Sequence, residues 1–114
     1  MSKGDGKTEV LQGTLDLMIL RTLETMGRQH GFGLAKRIQQ ISEGALDLNQ
    51  GTLYPALLRL EQRGWIKAKW GTTENNRRAR YYELTESGRR HIHTERAGWE
   101  RTVALMDLFL HTRE

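Results

Sequence analysis

Apolar residues recur at helical spacing from the start of the second decade of the chain. Leu15, Met18, Ile19, Leu23 and Met26, with Thr22 among them, share one side of a helix. Thr14 before them is a good N-cap residue, and Gly27 after them is a good stop. Residues 27–31 (GRQHG) make a short connection. Leu34, Ile38 and Ile41 mark the buried stripe of a second helix beginning near Gly31–Phe32–Gly33, with Lys36, Arg37, Gln39 and Gln40 outside. Ser42–Glu43–Gly44 breaks it, and ALDLNQG (45–51) reads as a turn whose alternating apolar residues admit one short strand.

The third helix occupies Asn49–Trp65. Leu53, Leu57 and Leu60 lie at i, i+4 and i+7 and so form its core face. Pro55, Arg59 and Gln62 fall roughly opposite. Pro55 is placed in the first turn, where backbone N–H groups need no helical partner, and Gly64 ends the helix. WIKAKW (65–70) and ARYYEL (79–84) have strand character, with GTTENNRR (71–78) between them as a basic hairpin tip. Thr85 is the expected cap of a last helix running to about His111, with Gly88 tolerated inside it. In that helix Ile92, Trp99, Val103, Met106 and Leu110 form a heptad-like seam, and Leu105, Leu108 and Phe109 widen the apolar surface. An end this apolar predicts packing on a second copy of the chain.

The pattern therefore predicts a mainly α fold with a small β-hairpin: a winged helix-turn-helix followed by a long C-terminal helix. It divides the chain into a polar, flexible tail (1–11), a winged helix-turn-helix domain (12–85) and a dimerisation helix (86–114).

Composition narrows the chemistry. The 114 residues suit one domain and include no cysteine, which removes disulfides, thiolate metal sites and cysteine nucleophiles. His91, His93 and His111 do not form a metal set, and Asp16 and Glu24 show no paired-carboxylate pattern. No phosphate loop or catalytic triad is legible, so no cofactor and no enzymatic activity are expected. With no signal-peptide core and no apolar run of membrane-spanning length, a cytoplasmic protein without membrane contact is expected.

Net charge is only +4, but its placement is uneven. Between Arg59 and Arg80, seven basic residues stand against two acidic ones, giving +5 in that segment alone. A recognition-like helix followed by a basic hairpin points to DNA: an α-helix fits the major groove, and a basic wing neutralises phosphates. Thr52 is the candidate for a base edge or thymine methyl, Tyr54 for a phosphate, and Arg59 for a guanine or the backbone. Pro55 belongs to the same exposed face. Asn75, Asn76, Arg77 and Arg78 are the candidate wing contacts, and Lys36 is placed to reach a phosphate. His30 reads as a cap of the second helix. The competing reading is a winged-helix module that binds another protein, which the basic wing argues against.

Four stretches carry a family likeness: LQGTLDLMILRTL (11–23), HGFGLAKRI (30–38), GTLYPALLRLEQRGWI (51–66) and NNRRARYYELTESG (75–88). In order and spacing they resemble the PadR family of winged-helix transcriptional regulators, in its short form with one C-terminal helix. The resemblance implies a homodimeric repressor of nearby genes that dimerises through that helix, and often an effector that releases DNA. In some relatives an aromatic on the helix lines the effector pocket, and Trp99 is the nearest candidate here.

Overall fold

The computed structural model describes residues 12–113; the polar tail of residues 1–11 lies outside the described residues. Four helices and three strands follow in the order α1 (Gln12–Met26), β1 (Gln29–His30), α2 (Gly31–Ile41), α3 (Gln50–Gln62), β2 (Ile66–Thr72), β3 (Arg78–Leu84) and α4 (Glu86–Leu110).

The central helix is α1, which touches α2, α3, α4 and β3. A helix so surrounded buries more than one stripe, so Leu20 is as inaccessible as Ile19, although it lies off the predicted face. Met26, at the end, emerges to 37% exposure. The helix begins at Gln12, which leaves Thr14 inside the first turn instead of capping it. Thr22 is buried because its hydroxyl donates to the Met18 carbonyl at 2.7 Å. Gly27, at φ +82°, closes the helix and donates its N–H to Leu23.

The two residues of β1 lie in what reads as a plain connection. They pair antiparallel with β3, Gln29 opposite Tyr82 and His30 opposite Tyr81, to give a sheet of order β1-β3-β2. The short strand admitted at 45–51 is absent: residues 46–49 have no regular structure, and the third strand comes from 29–30 instead. His30 then caps α2, its Nδ1 accepting from the Gly33 N–H at 3.0 Å. Leu34 and Ile38 are buried as the spacing predicts, whereas Ile41 is left exposed because the chain turns away at Ser42.

Asn49 caps α3 by accepting from the Thr52 N–H at 2.9 Å. The helix therefore starts at Gln50, which puts Pro55 in the second turn and not the first. Its missing N–H costs the bond that would run to the carbonyl of Gly51, on the solvent side of the helix. Leu53, Ala56, Leu57 and Leu60 face inward, and Gly64 (φ +77°) ends the helix.

The hairpin pairs Ile66 with Leu84 through to Thr72 with Arg78, so its tip is shorter than GTTENNRR and comprises residues 73–77. Thr73 N–H donates to the Arg77 carbonyl at 2.8 Å, and Asn76 takes the left-handed conformation (φ 62°) that asparagine tolerates.

Thr85 caps α4 by accepting from the Gly88 N–H, and its hydroxyl donates to the Gly64 carbonyl at 2.7 Å. One residue thus starts the last helix and pins it to the end of α3. Twenty-five residues make α4 about 37 Å long. Only its first turns join the core. Beyond Ile92, every residue to Arg113 is exposed except Gly98, which is half-buried. Among the described residues no helix is long and apolar enough to cross a membrane.

Candidate nucleic-acid interface

The first turns of α3 and the hairpin line opposite sides of one open groove of about 900 Å³. Gln50, Tyr54 and Leu58 come from α3, and Asn75, Arg77, Arg78 and Trp70 from the hairpin. Thr52 and Pro55 are exposed on the same early turns of α3. The cap by Asn49 leaves this end of the helix free to face outward: it satisfies a backbone donor without help from a neighbouring element.

Tyr54 is partly exposed, and its phenol lies across the start of α2. A Cβ on Gly31 would stand 2.5 Å from its hydroxyl oxygen, so glycine there leaves the room that the end of the ring occupies at the junction of the two helices. Lys36 is exposed on the next turn of α2 and, with Gln39, Asn49 and Gln50, edges a second, smaller groove between α2 and α3. Tyr54 borders both grooves.

The wing is held by cation–ring and ionic contacts. The Arg78 guanidinium lies 4.6 Å from the centre of the Trp70 ring, with Arg80 at 6.0 Å. Arg80 Nη2 also donates to Glu61 Oε2 at 2.9 Å, tying β3 to the last turn of α3. Asn75, Asn76, Arg77 and Arg78 are all exposed. The exposed charge is thus carried by Arg77 at the tip and Arg78 at the start of β3, with Glu74 beside them, while Arg80 lower on the strand is partly neutralised. At the floor of the groove, burial pushes the Tyr82 phenol above its usual range, with Arg80 acting against it.

Arg59 does not belong with this group. The helical wheel places it opposite the leucine face, toward DNA. In the structure its Nη2 donates to Asp16 Oδ1 on α1 at 2.7 Å, and both side chains are largely covered. The reason is that α1 flanks α3 as well as underlying it, so a residue off the leucine face still meets protein. Arg59 is replaced in the groove by residues the spacing does not single out: Gln50, Leu58, Phe32 and Trp70. Phe32 is 75% exposed, an unusual state for phenylalanine, and its place between two glycines off the apolar stripe of α2 is the only sequence sign of it.

On the far side of α1, Gly13, Thr14, Leu17 and Met18 face Trp99 and Leu105 of α4 across another open groove of about 950 Å³. Trp99, Val103, Met106 and Leu110 are all exposed in the single chain. Ile92 is not: it is 3% exposed and belongs to the domain's own core, so the predicted seam starts a heptad later, at Trp99.

Residues 19–94 match the model of the Transcriptional regulator PadR-like family. A solved transcriptional regulator from Clostridium thermocellum is 30% identical, with a TM-score of 0.79 over 90% of this chain and 98% of its own. A PadR family transcription regulator from Clostridium difficile is 30% identical, with a TM-score of 0.73 over 86% of this chain and 99% of its own. A PadR family regulator from Eggerthella lenta is 25% identical, with a TM-score of 0.75 over 90% of this chain and 86% of its own. A match over two thirds of the sequence, on a winged helix with a basic wing and a projecting last helix, makes this chain a member of the PadR family of transcriptional regulators.

Proposed function

We propose that the chain is a homodimeric, sequence-specific DNA-binding repressor, with α3 in the major groove and the wing tip on the adjacent backbone. The observation that carries this reading is the shared groove: the capped, polar start of α3 and the wing arginines Arg77 and Arg78 open onto the same space. A B-DNA major groove accepts a single helix, and flanking phosphates attract arginine at the distance a wing reaches. Thr52 and Gln50 are the base-reading candidates. Tyr54, Lys36, Asn75, Asn76, Arg77 and Arg78 are positioned for phosphate and sugar, where most protein–DNA hydrogen bonds fall. Pro55 shapes the exposed face without donating to it. Residues 86–114 serve as the dimerisation helix of a domain spanning 12–85. The family is one of transcriptional regulators and not of enzymes.

The Trp99 groove supports a second element of the proposal, release by a small apolar effector. An indole exposed beside Leu17, Met18 and Leu105 offers the apolar, aromatic lining that such ligands favour.

Fluorescence-anisotropy titration against DNA from upstream of the chain's own gene, beside a scrambled duplex at about 150 mM salt, tests the main reading. Binding preferred by roughly 10³-fold or more over the scramble is the expected result. Weak, equal binding to both duplexes contradicts autoregulation through sequence reading. Absence of binding to either brings forward the protein-interaction alternative.

A further inference from the structure

The ion pair between Arg59 and Asp16 is unusual in its place and its isolation. Asp16 is 8% exposed and is one of two polar residues buried among the described residues. The pair bridges 43 positions of sequence. The Nε of Arg59 is buried with no hydrogen-bond partner among the described residues, so the guanidinium is held by its Nη2 contact rather than by a surrounding polar network. A buried ion pair is weak evidence for stability, because desolvation offsets the attraction. Its distinctive property is direction.

The rest of the attachment of α3 lacks that property. Leu53, Ala56, Leu57 and Leu60 bury apolar area, and apolar burial is non-directional. A greasy face tolerates a few degrees of roll or a small slide. A charge-assisted hydrogen bond tolerates less, because Nη2 must stay within bonding distance and angle of Oδ1. Arg59 fixes α3 to α1 on one side, and two residues later Glu61 fixes it to Arg80 of β3 on another. Bidentate base reading needs the azimuth of the helix to be set.

We infer that Arg59 is a positioning residue: its bond to Asp16 sets the roll of the recognition helix, and it governs operator selectivity without touching DNA. This rests on the proposed DNA-reading function, and it gives an expectation of opposite sign to simple electrostatics. Asp16→Ala adds one unit of positive charge and frees an arginine on α3. If Arg59 were a DNA contact held in reserve, the variant would bind all DNA more tightly with a steeper salt dependence. If Arg59 positions the helix, the preference for operator over scramble falls about tenfold, the size of one mismatched base pair. Scramble affinity and salt slope then stay as in the parent chain.

The experiment titrates the full-length parent chain and Asp16→Ala against operator and scrambled duplexes over a range of salt, with thermal melts in parallel. Arg59→Lys is run beside it. That variant keeps the charge and the aliphatic stem but loses the Nη2 donor and the longer reach of the guanidinium, and the same loss of preference is expected. Should Asp16→Ala lack a cooperative melt, Arg59→Lys decides the matter. An unchanged operator preference in a folded variant, or a general gain in affinity with a steeper slope, overturns the inference. A parent chain that itself shows no preference contradicts the DNA-reading proposal instead, which the same titration shows separately.

Discussion

Gly88 is a residue whose identity is set by the corner it packs into. A Cβ there would lie 2.1 Å from the Trp65 carbonyl oxygen and 2.8 Å from Leu84 Cδ1. The backbone oxygen cannot rotate away, and that carbonyl also accepts the Thr85 N–H at 3.0 Å. Gly88→Ala gains helix propensity of about 1 kcal/mol, but the overlap forces α4 off the corner between α3 and β2, an overpacking strain of about 1–3 kcal/mol or more. Net destabilisation is expected, read as a lowered midpoint in chemical denaturation; an equal or higher midpoint would show that the corner yields easily. From sequence, Gly88 reads only as a tolerated interruption, because the carbonyl it meets is 23 positions away. Arg59 illustrates the same limit. Its angle on the helical wheel is correct, but what lies at that angle is another helix, and periodicity carries no information about third elements. His30 and Thr85 were legible as caps because capping is local, resolved within three residues of chain.

At the scale of elements, the leucine face of α3, the two hairpin strands and the glycine stops at 27 and 64 follow from period and turn chemistry. The two-residue β1 does not, since its only support is pairing with β3 some fifty positions later. The wing is the element whose role can be measured most directly. Arg77 and Arg78 are exposed at or beside its tip, and Arg78 is steadied by Trp70. If each neutralises one phosphate, Arg77→Ala with Arg78→Ala reduces the magnitude of the salt slope by about 1.8, at about 0.9 per contact. Operator and scramble should weaken together, because phosphates carry no sequence. Titrations at four or five salt concentrations distinguish this from base reading, and parallel slopes for variant and parent would remove the wing from the interface.

At the scale of the whole molecule, the body ends near Ile92 while α4 continues through Leu110, stretching the chain to 61 Å in its longest dimension. Trp99, Val103, Met106 and Leu110, spaced four, three and four apart, stay in the open, and Leu105, Leu108 and Phe109 lie exposed beside them. A long amphipathic surface without cover among the described residues is what a dimer seam looks like from one side. The 13.2 kDa chain should therefore sediment at about twice that mass at micromolar concentration. Val103→Asp with Met106→Asp places charge on the seam, yet both positions are exposed in the single chain and outside its core. The variant is thus expected to keep a folded winged helix while sedimenting as a monomer, which separates association from folding. In such a dimer, two linked recognition helices would engage two half-sites about 10–10.5 bp apart, or a multiple of that, and the second engagement would gain from effective concentration. Loss of the seam should then lower operator affinity by about 10²-fold or more while leaving affinity for a single half-site unchanged. A parent chain sedimenting at 13.2 kDa, or a monomeric variant with undiminished operator affinity, would mean that α4 is exposed for some other partner and that the operator is read by one winged helix at a time.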